Sequence, residues 1–231
     1  MFLYMKYKTQ THFSKQILFV GFFIFCLIVS LPAATILTPF EEEVLENISI
    51  FRMEIGGTES SDIAVMEIEK KEAELQSPIF QEKLSEEVRL ILDNILTWEK
   101  YNYLYEGDIK HPALEPLITA QYNEVKDWFK THKNDTPNKW LYCTAGDILS
   151  CCMQFLPIGT AMSEGLTVKK YYEAALEQDP EMSFCLINIA QWYFYAPAIS
   201  GGGKKKALNA FEQAVENAKN PSELYHSQIL L

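Results

Sequence analysis

Few residues in this sequence combine type and spacing in a way that could do chemistry. Asp147 is the first of them. It sits beside Gly146 within a stretch, Trp140 to Phe155, that is otherwise mostly apolar. An isolated buried carboxylate is costly, so Asp147 must have a partner or face a groove. The second is Gly201–Lys206, GGGKKK. A backbone nest with lysines at a helix N-terminus can hold an anion. No strand precedes it, however, and the G-x-x-x-x-G-K-[ST] spacing of a phosphate loop is absent. A flexible turn with solvated lysines is the simpler reading. Cys143, Cys151, Cys152 and Cys185 contain no C-x-x-C, and His111, His132 and His226 have no ligand spacing, so no metal site is expected. There is no G-x-S-x-G, no H-E-x-x-H and no Cys/His pair with a supporting context. The expectation is a protein that is not an enzyme and carries no cofactor.

The balance of charge points the same way. The 231 residues carry 20 basic and 31 acidic side chains, a formal net charge of −11, with 48% hydrophobic and 13% aromatic residues. That composition suits a folded chain with a real core. Its acidity makes nucleic acid and anionic membrane surfaces poor partners.

The first 34 residues differ from the rest. They hold Lys6, Lys8 and Lys15, no acid, and then the apolar run Ile17 to Leu31 followed by Pro32-Ala33-Ala34-Thr35. A positive head, an apolar stretch of this length and a small-residue tail read as a signal peptide. Counted on to Leu37, the run reaches 21 residues and could instead stay as an N-terminal anchor. Either way the lysines remain inside and the body is exported, to the periplasm or cell envelope, touching membrane only through this segment. Cys26 lacks the small-residue context of a lipidation site. Without the three lysines the body carries −14. In an exported protein, the four remaining cysteines are either small buried residues or include one long-range disulfide, with Cys185 its best member.

The elements that must position these groups read as helices throughout. Val44, Ile48 and Phe51 recur at helical spacing until Gly56-Gly57, and Ser60-Ser61-Asp62 caps a second segment. Ser85-Glu86-Glu87 starts a strong helix with the stripe Val88, Ile91, Leu92, Ile95 and Leu96, stopped by Gly107-Asp108. Leu117 to Phe129 follows, then a helix opened by Asn138, one started by Ser163-Glu164, one over 183–195, one over 204–218, and a last one begun in the final ten residues. No alternating segment of useful length occurs, so the fold expected is all-α. Residues 38–134 form a helical N-terminal region and 138–231 a second unit.

That second unit repeats. Tyr172 and Ala175 find counterparts in Phe211 and Ala214, both at an offset of 39, and Pro180 finds one in Pro221 at 41. Ala190 and Tyr193 sit three apart on one helix, and Ala207 precedes Phe211 by four on the next. Paired helices approach closely only where side chains are small, with large ones interdigitating beside them. This arrangement resembles the tetratricopeptide repeat, in an exported bacterial form. The resemblance implies that Ala190 and Tyr193 belong to a helix A, Ala207, Phe211 and Ala214 to a helix B, and Tyr172, Ala175 and Pro180 to the end of the preceding unit. The family period is about 34, so 39 implies extra residues in the A–B turns, at Ala196–Gly203 and, one unit earlier, at Leu156–Ser163. It also implies helix pairs stacked as a right-handed superhelix.

In that family the concave surface is built from helix A, which implies groove positions at Phe184, Ile187, Asn188, Gln191, Phe194 and Tyr195. Asn188, mid-helix among apolar residues, needs an inter-helix hydrogen bond or a peptide backbone in the groove. Basic residues are missing there, so a carboxylate clamp is not expected. Two functions compete. One is a scaffold binding a protein or peptide; a groove filled by the protein's own N-terminal helices would defeat it. The other is a ligand-binding or accessory subunit of an envelope transport system; a pocket lined by Trp140, Trp192 and nearby tyrosines would favour it. The apolar end, Ile229-Leu230-Leu231, stands where an array places a polar cap, which leaves open a covering partner or a chain cut short.

Overall fold

Five helices open at residues whose side chains satisfy a free amide of the first turn: Thr38, Ser60, Ser85, Asn138 and Asn220 each accept from the backbone N–H of the second or third helical residue. Two of these caps are tied to one another across the fold. Glu41 completes the capping box with Thr38, its Oε2 accepting from the Thr38 N–H at 2.9 Å, while its Oε1 accepts from the Ser85 N–H at 2.9 Å. Burial raises the Glu41 pKa, but the hydrogen bonds from Ser85 and Thr38 outweigh it and hold the carboxyl below its usual range. Glu87 accepts from the Asn138 N–H at 2.5 Å in the same way.

The structure, a computed structural model, describes residues 34–229. The export segment read over 1–34 lies outside them, Ala34 apart. Among the described residues there are ten α-helices, two short 3-10 turns and no strand, so the all-α expectation holds. No described helix is long and apolar enough to cross a membrane. The helices are α1 (Pro39–Ile55), α2 (Ser61–Leu75), α3 (Pro78–Lys83), α4 (Glu86–Gly107), α5 (Leu114–Thr131), α6 (Lys139–Cys152), α7 (Ile158–Gln178), α8 (Ser183–Tyr195), α9 (Lys204–Glu216) and α10 (Pro221–Ile229).

Helix α4 packs against α1, α2, α5 and α6. Its stripe of Val88, Ile91, Leu92, Ile95 and Leu96 is buried, each large side chain contributing about 1.5–3 kcal/mol. Of its buried polar side chains the deepest is Asn94, which donates to Thr144 Oγ1 at 3.1 Å and accepts from Gln121 Nε2 at 2.8 Å. It joins α4 to α5 and α6. Asn94→Ala is expected to lower the unfolding free energy by about 1–3 kcal/mol, read by urea denaturation.

The pairs α6–α7 and α8–α9 form the most extensive helix contacts, and α7–α8 joins them. The small residues that recur in the sequence, Ala175, Ala190, Ala207 and Ala214, are all buried. Tyr172 is buried, Tyr193 and Phe211 are half-buried, and Pro180 is exposed between α7 and α8. The two segments expected to be lengthened turns differ from each other. The extra residues of the first are helical: α7 begins at Ile158, directly after Pro157, well ahead of Ser163. In the second, Ala196–Gly203 stays irregular apart from a 3-10 turn over Ala198–Ser200, and Gly201 adopts φ 94°. Gly202 there lies so close to the Ala196 carbonyl that a Cβ would stand 1.9 Å from its oxygen.

The chain closes on itself. Helix α10 packs against α8, α9 and α1, and Ser222 Oγ donates to the Ser49 carbonyl. All four described cysteines are free thiols, with Cys143, Cys152 and Cys185 buried.

Candidate functional site

Between α6, α7 and α8, with α4 behind them, lies a cavity of about 570 Å³. Asp147 forms its floor, next to the buried Gly146. A Cβ on Gly146 would fall 2.5 Å from Tyr172 Cε1, so only glycine lets the Tyr172 ring lie against α6. Seated there, the ring delivers its hydroxyl to Asp147 Oδ1 at 2.9 Å. From α8, Asn188 Nδ2 donates to the same oxygen at 2.6 Å. Three helices thus meet on one carboxylate oxygen. No hydrogen bond reaches Oδ2 among the described residues, and Asp147 lines the cavity wall.

Asp147 lies deep in the protein but stays half open to the cavity. Burial pushes its pKa up to about 7, against the lowering effects of the Tyr172 hydrogen bond and of the Arg52 charge; Glu99 adds to the rise. Tyr172 is driven far above the ordinary phenol value, by burial and by the Asp147 charge. Both neighbouring thiol environments are inert. The Cys151 thiol on the wall is pushed up by burial, and Cys143 is pushed up by its hydrogen bond with Cys185 and by burial. A thiol held protonated is no nucleophile.

The walls are apolar and aromatic. Trp98 and Asn102 come from α4, Ser150 and Cys151 from α6, Val168 from α7, and Gln191, Trp192 and Tyr195 from α8. Trp192 is fixed by its indole N–H, which donates to the Gly165 carbonyl at 2.8 Å. At the rim, Ile158, Met162 and Leu166 stand four residues apart on the first turns of α7. Ile158 is 83% and Met162 74% exposed, although this spacing normally marks a buried stripe.

The expected groove residues therefore divide. Asn188, Gln191 and Tyr195 line the cavity. Phe194 is exposed, lies outside the cavity lining and has Lys204 Nζ 5.9 Å from its ring. Phe184 and Ile187 are buried and cannot face a groove. Phe184 is covered by the Trp140 ring at 5.7 Å, the His226 ring of α10 at 5.2 Å and the Arg52 guanidinium of α1 at 4.8 Å. Burial, with help from the Arg52 charge, takes the His226 pKa down to about 3, so the ring is neutral. Trp140, which on a pocket wall would have favoured the transport-subunit reading, belongs to this packing instead.

The reading of Asp147 as partnered or groove-facing resolves into both, and Asn188 is its partner. Trp98 and the α7 rim were not anticipated. The Ile158, Met162, Leu166 spacing was the signal for the rim; nothing local marks Trp98, which arrives from a distant helix. Among the described residues no group of three or more His, Cys, Asp or Glu could hold a metal ion. Searches against protein-family models, curated proteins and solved structures return no match to this chain.

Proposed function

We propose that this chain is an exported, non-catalytic binding protein that takes a small, largely apolar molecule into the cavity between α6, α7 and α8. The observation that carries the reading is the cavity itself. Its volume of about 570 Å³ falls among those of small-molecule sites, which run to roughly 300–1,000 Å³ with mostly apolar walls and a few placed polar groups. The polar groups here include Asp147, Asn102, Asn188 and Gln191. Export rests on the N-terminal sequence, and service to an envelope transport system follows from that compartment together with ligand binding.

A peptide-binding scaffold of tetratricopeptide type is the second reading. The exposed rim of Ile158, Met162 and Tyr195 favours it. The covering of Phe184 by α1 and α10 weighs against it, since a peptide groove on that face is filled by the protein's own helices.

The test uses Nile red, a neutral apolar dye whose emission reports a dry site. The protein is expected to bind it with a blue shift. Ala161→Trp places an indole in the cavity and is expected to weaken binding about tenfold or more, a loss of about 1.4 kcal/mol or greater, with thermal stability unchanged. Equal dye binding by the variant and the parent protein sinks the reading.

A further inference from the structure

We propose that the cavity selects an organic cation: an amine whose apolar body fills the space between Trp98, Trp192 and Tyr195 and whose ammonium group docks on the unengaged oxygen of Asp147. The inference rests on the cavity being a ligand site, and names the class of ligand.

Three observations converge. The residues lining the cavity include one ionisable carboxyl, Asp147, and no lysine, arginine or histidine. A bound anion would meet nothing to balance it, while a cation would balance the one charge present. Second, Tyr172 and Asn188 both donate to Oδ1. They orient the carboxylate, which lines the cavity, and leave Oδ2 without a protein donor. An ammonium brings N–H donors and a charge, the stronger kind of hydrogen bond. Third, the walls offer aromatic rings, which attract cations. Trp98 and Trp192 already do so: Arg52 lies 5.3 Å from one ring centroid and Lys169 5.9 Å from the other.

Those two cations do not oppose the ligand. Arg52 is paired with Glu99 at 2.5 Å, and Lys169 is paired with Glu173. The groups that act on Asp147 are then the Tyr172 hydroxyl, this Arg52–Glu99 pair, and the neutral thiols of Cys143 and Cys151. The uncompensated charge at the floor is that of Asp147. In a site partly shut from water, one opposite charge at contact distance is worth several-fold to hundreds-fold in affinity.

Ionised Asp147 is the binding form, and its pKa of about 7 in the empty site gives the pH dependence its sign. Above that value the carboxylate is ready. Below it, a proton occupies the place of the ammonium, and the cation must displace it. Binding a cation near neutral pH therefore releases a proton to buffer.

The experiment compares phenylbutylamine, phenylbutanol and phenylbutyrate by calorimetry on the full protein. The three share one apolar body and differ in charge. At about pH 8 the amine is expected to bind about tenfold or more tighter than the alcohol, and the carboxylate weakest. Lowering the pH below about 7 is expected to weaken the amine by up to about tenfold per unit and leave the alcohol unchanged. Asp147→Asn keeps an acceptor for Tyr172 and is expected to bring the amine down to the alcohol. If amine and alcohol bind alike at every pH, the cation inference is overturned and the ligand site stands. If none of the three binds, or if Ala161→Trp leaves their binding intact, the underlying reading of the cavity fails as well. The comparison of ligands and of pH on the unmodified protein decides the matter even if Asp147→Asn does not fold.

Discussion

Arg52→Met is expected to lower the unfolding free energy by about 3–5 kcal/mol, the cost of leaving a buried charge without its partner. Arg52 Nε donates to Glu99 Oε1 at 2.5 Å, and the two side chains are only 11% and 9% exposed. The same guanidinium lies over the rings of Trp98 and Phe184, so α1, α4 and α8 converge on it. Removing it strands Glu99 among those rings. Neutralising both ends behaves differently, because a buried pair recovers little more than the cost of drying it. Arg52→Met combined with Glu99→Leu is expected to regain more than half of the single-variant loss. Denaturant unfolding of the four proteins of this cycle measures the coupling. Additive losses would mean that the pair is not the unit of stability in this region.

Gly146→Ala is the second large effect, and here two terms oppose. Alanine in a helix interior gains about 1 kcal/mol over glycine. Against that, the new methyl would stand 2.5, 2.9 and 3.0 Å from three atoms of the Tyr172 ring, closer than carbon atoms approach. The ring is buried and hydrogen-bonded, so moving it costs about 1–3 kcal/mol of packing strain. It also breaks a hydrogen bond to a carboxylate, worth about 1.5–3 kcal/mol. The net expectation is a loss of about 1.5–5 kcal/mol. The clash predicts its own partner: in the Tyr172→Leu background, Gly146→Ala is expected to cost much less than alone. A stabilising Gly146→Ala would show that the ring has room to retreat.

What the sequence discloses and what it conceals follow from the range of the interactions. The boundaries of α8, Ser183–Tyr195, are readable because Pro197 and the flanking turn residues act locally. The buried alanines of the repeat are readable because close helix packing admits only small side chains at fixed offsets. The start of α7 was misplaced: Ser163-Glu164 imitates a cap, whereas Pro157 precedes the true first turn and Gly159 is carried inside the helix. Helix α3, six residues long, is too short to show a period. Phe184 and Ile187 failed for another reason. Helix α8 is apolar nearly all round, so its sequence cannot say which side is covered. For Phe184 the answer depends on Arg52 and His226, which reach it from α1 and α10; Ile187 instead clusters with Ala214 and Phe211 of α9. The floor of the cavity was half legible, because a carboxylate in an apolar helix must be answered by something.

The Ser49–Ser222 contact spans 173 residues, and the closing of α10 on α1 has a consequence in time. Helix α1 leaves the ribosome well before α10. Until α10 is made, the surface of α1 around Ser49 and Gly56 has no cover, and contacts of such long separation form late. If the chain is exported as proposed, this delay is useful. A polypeptide that cannot complete the packing of α1 before α10 exists stays open longer, which would suit threading through a narrow translocation pore.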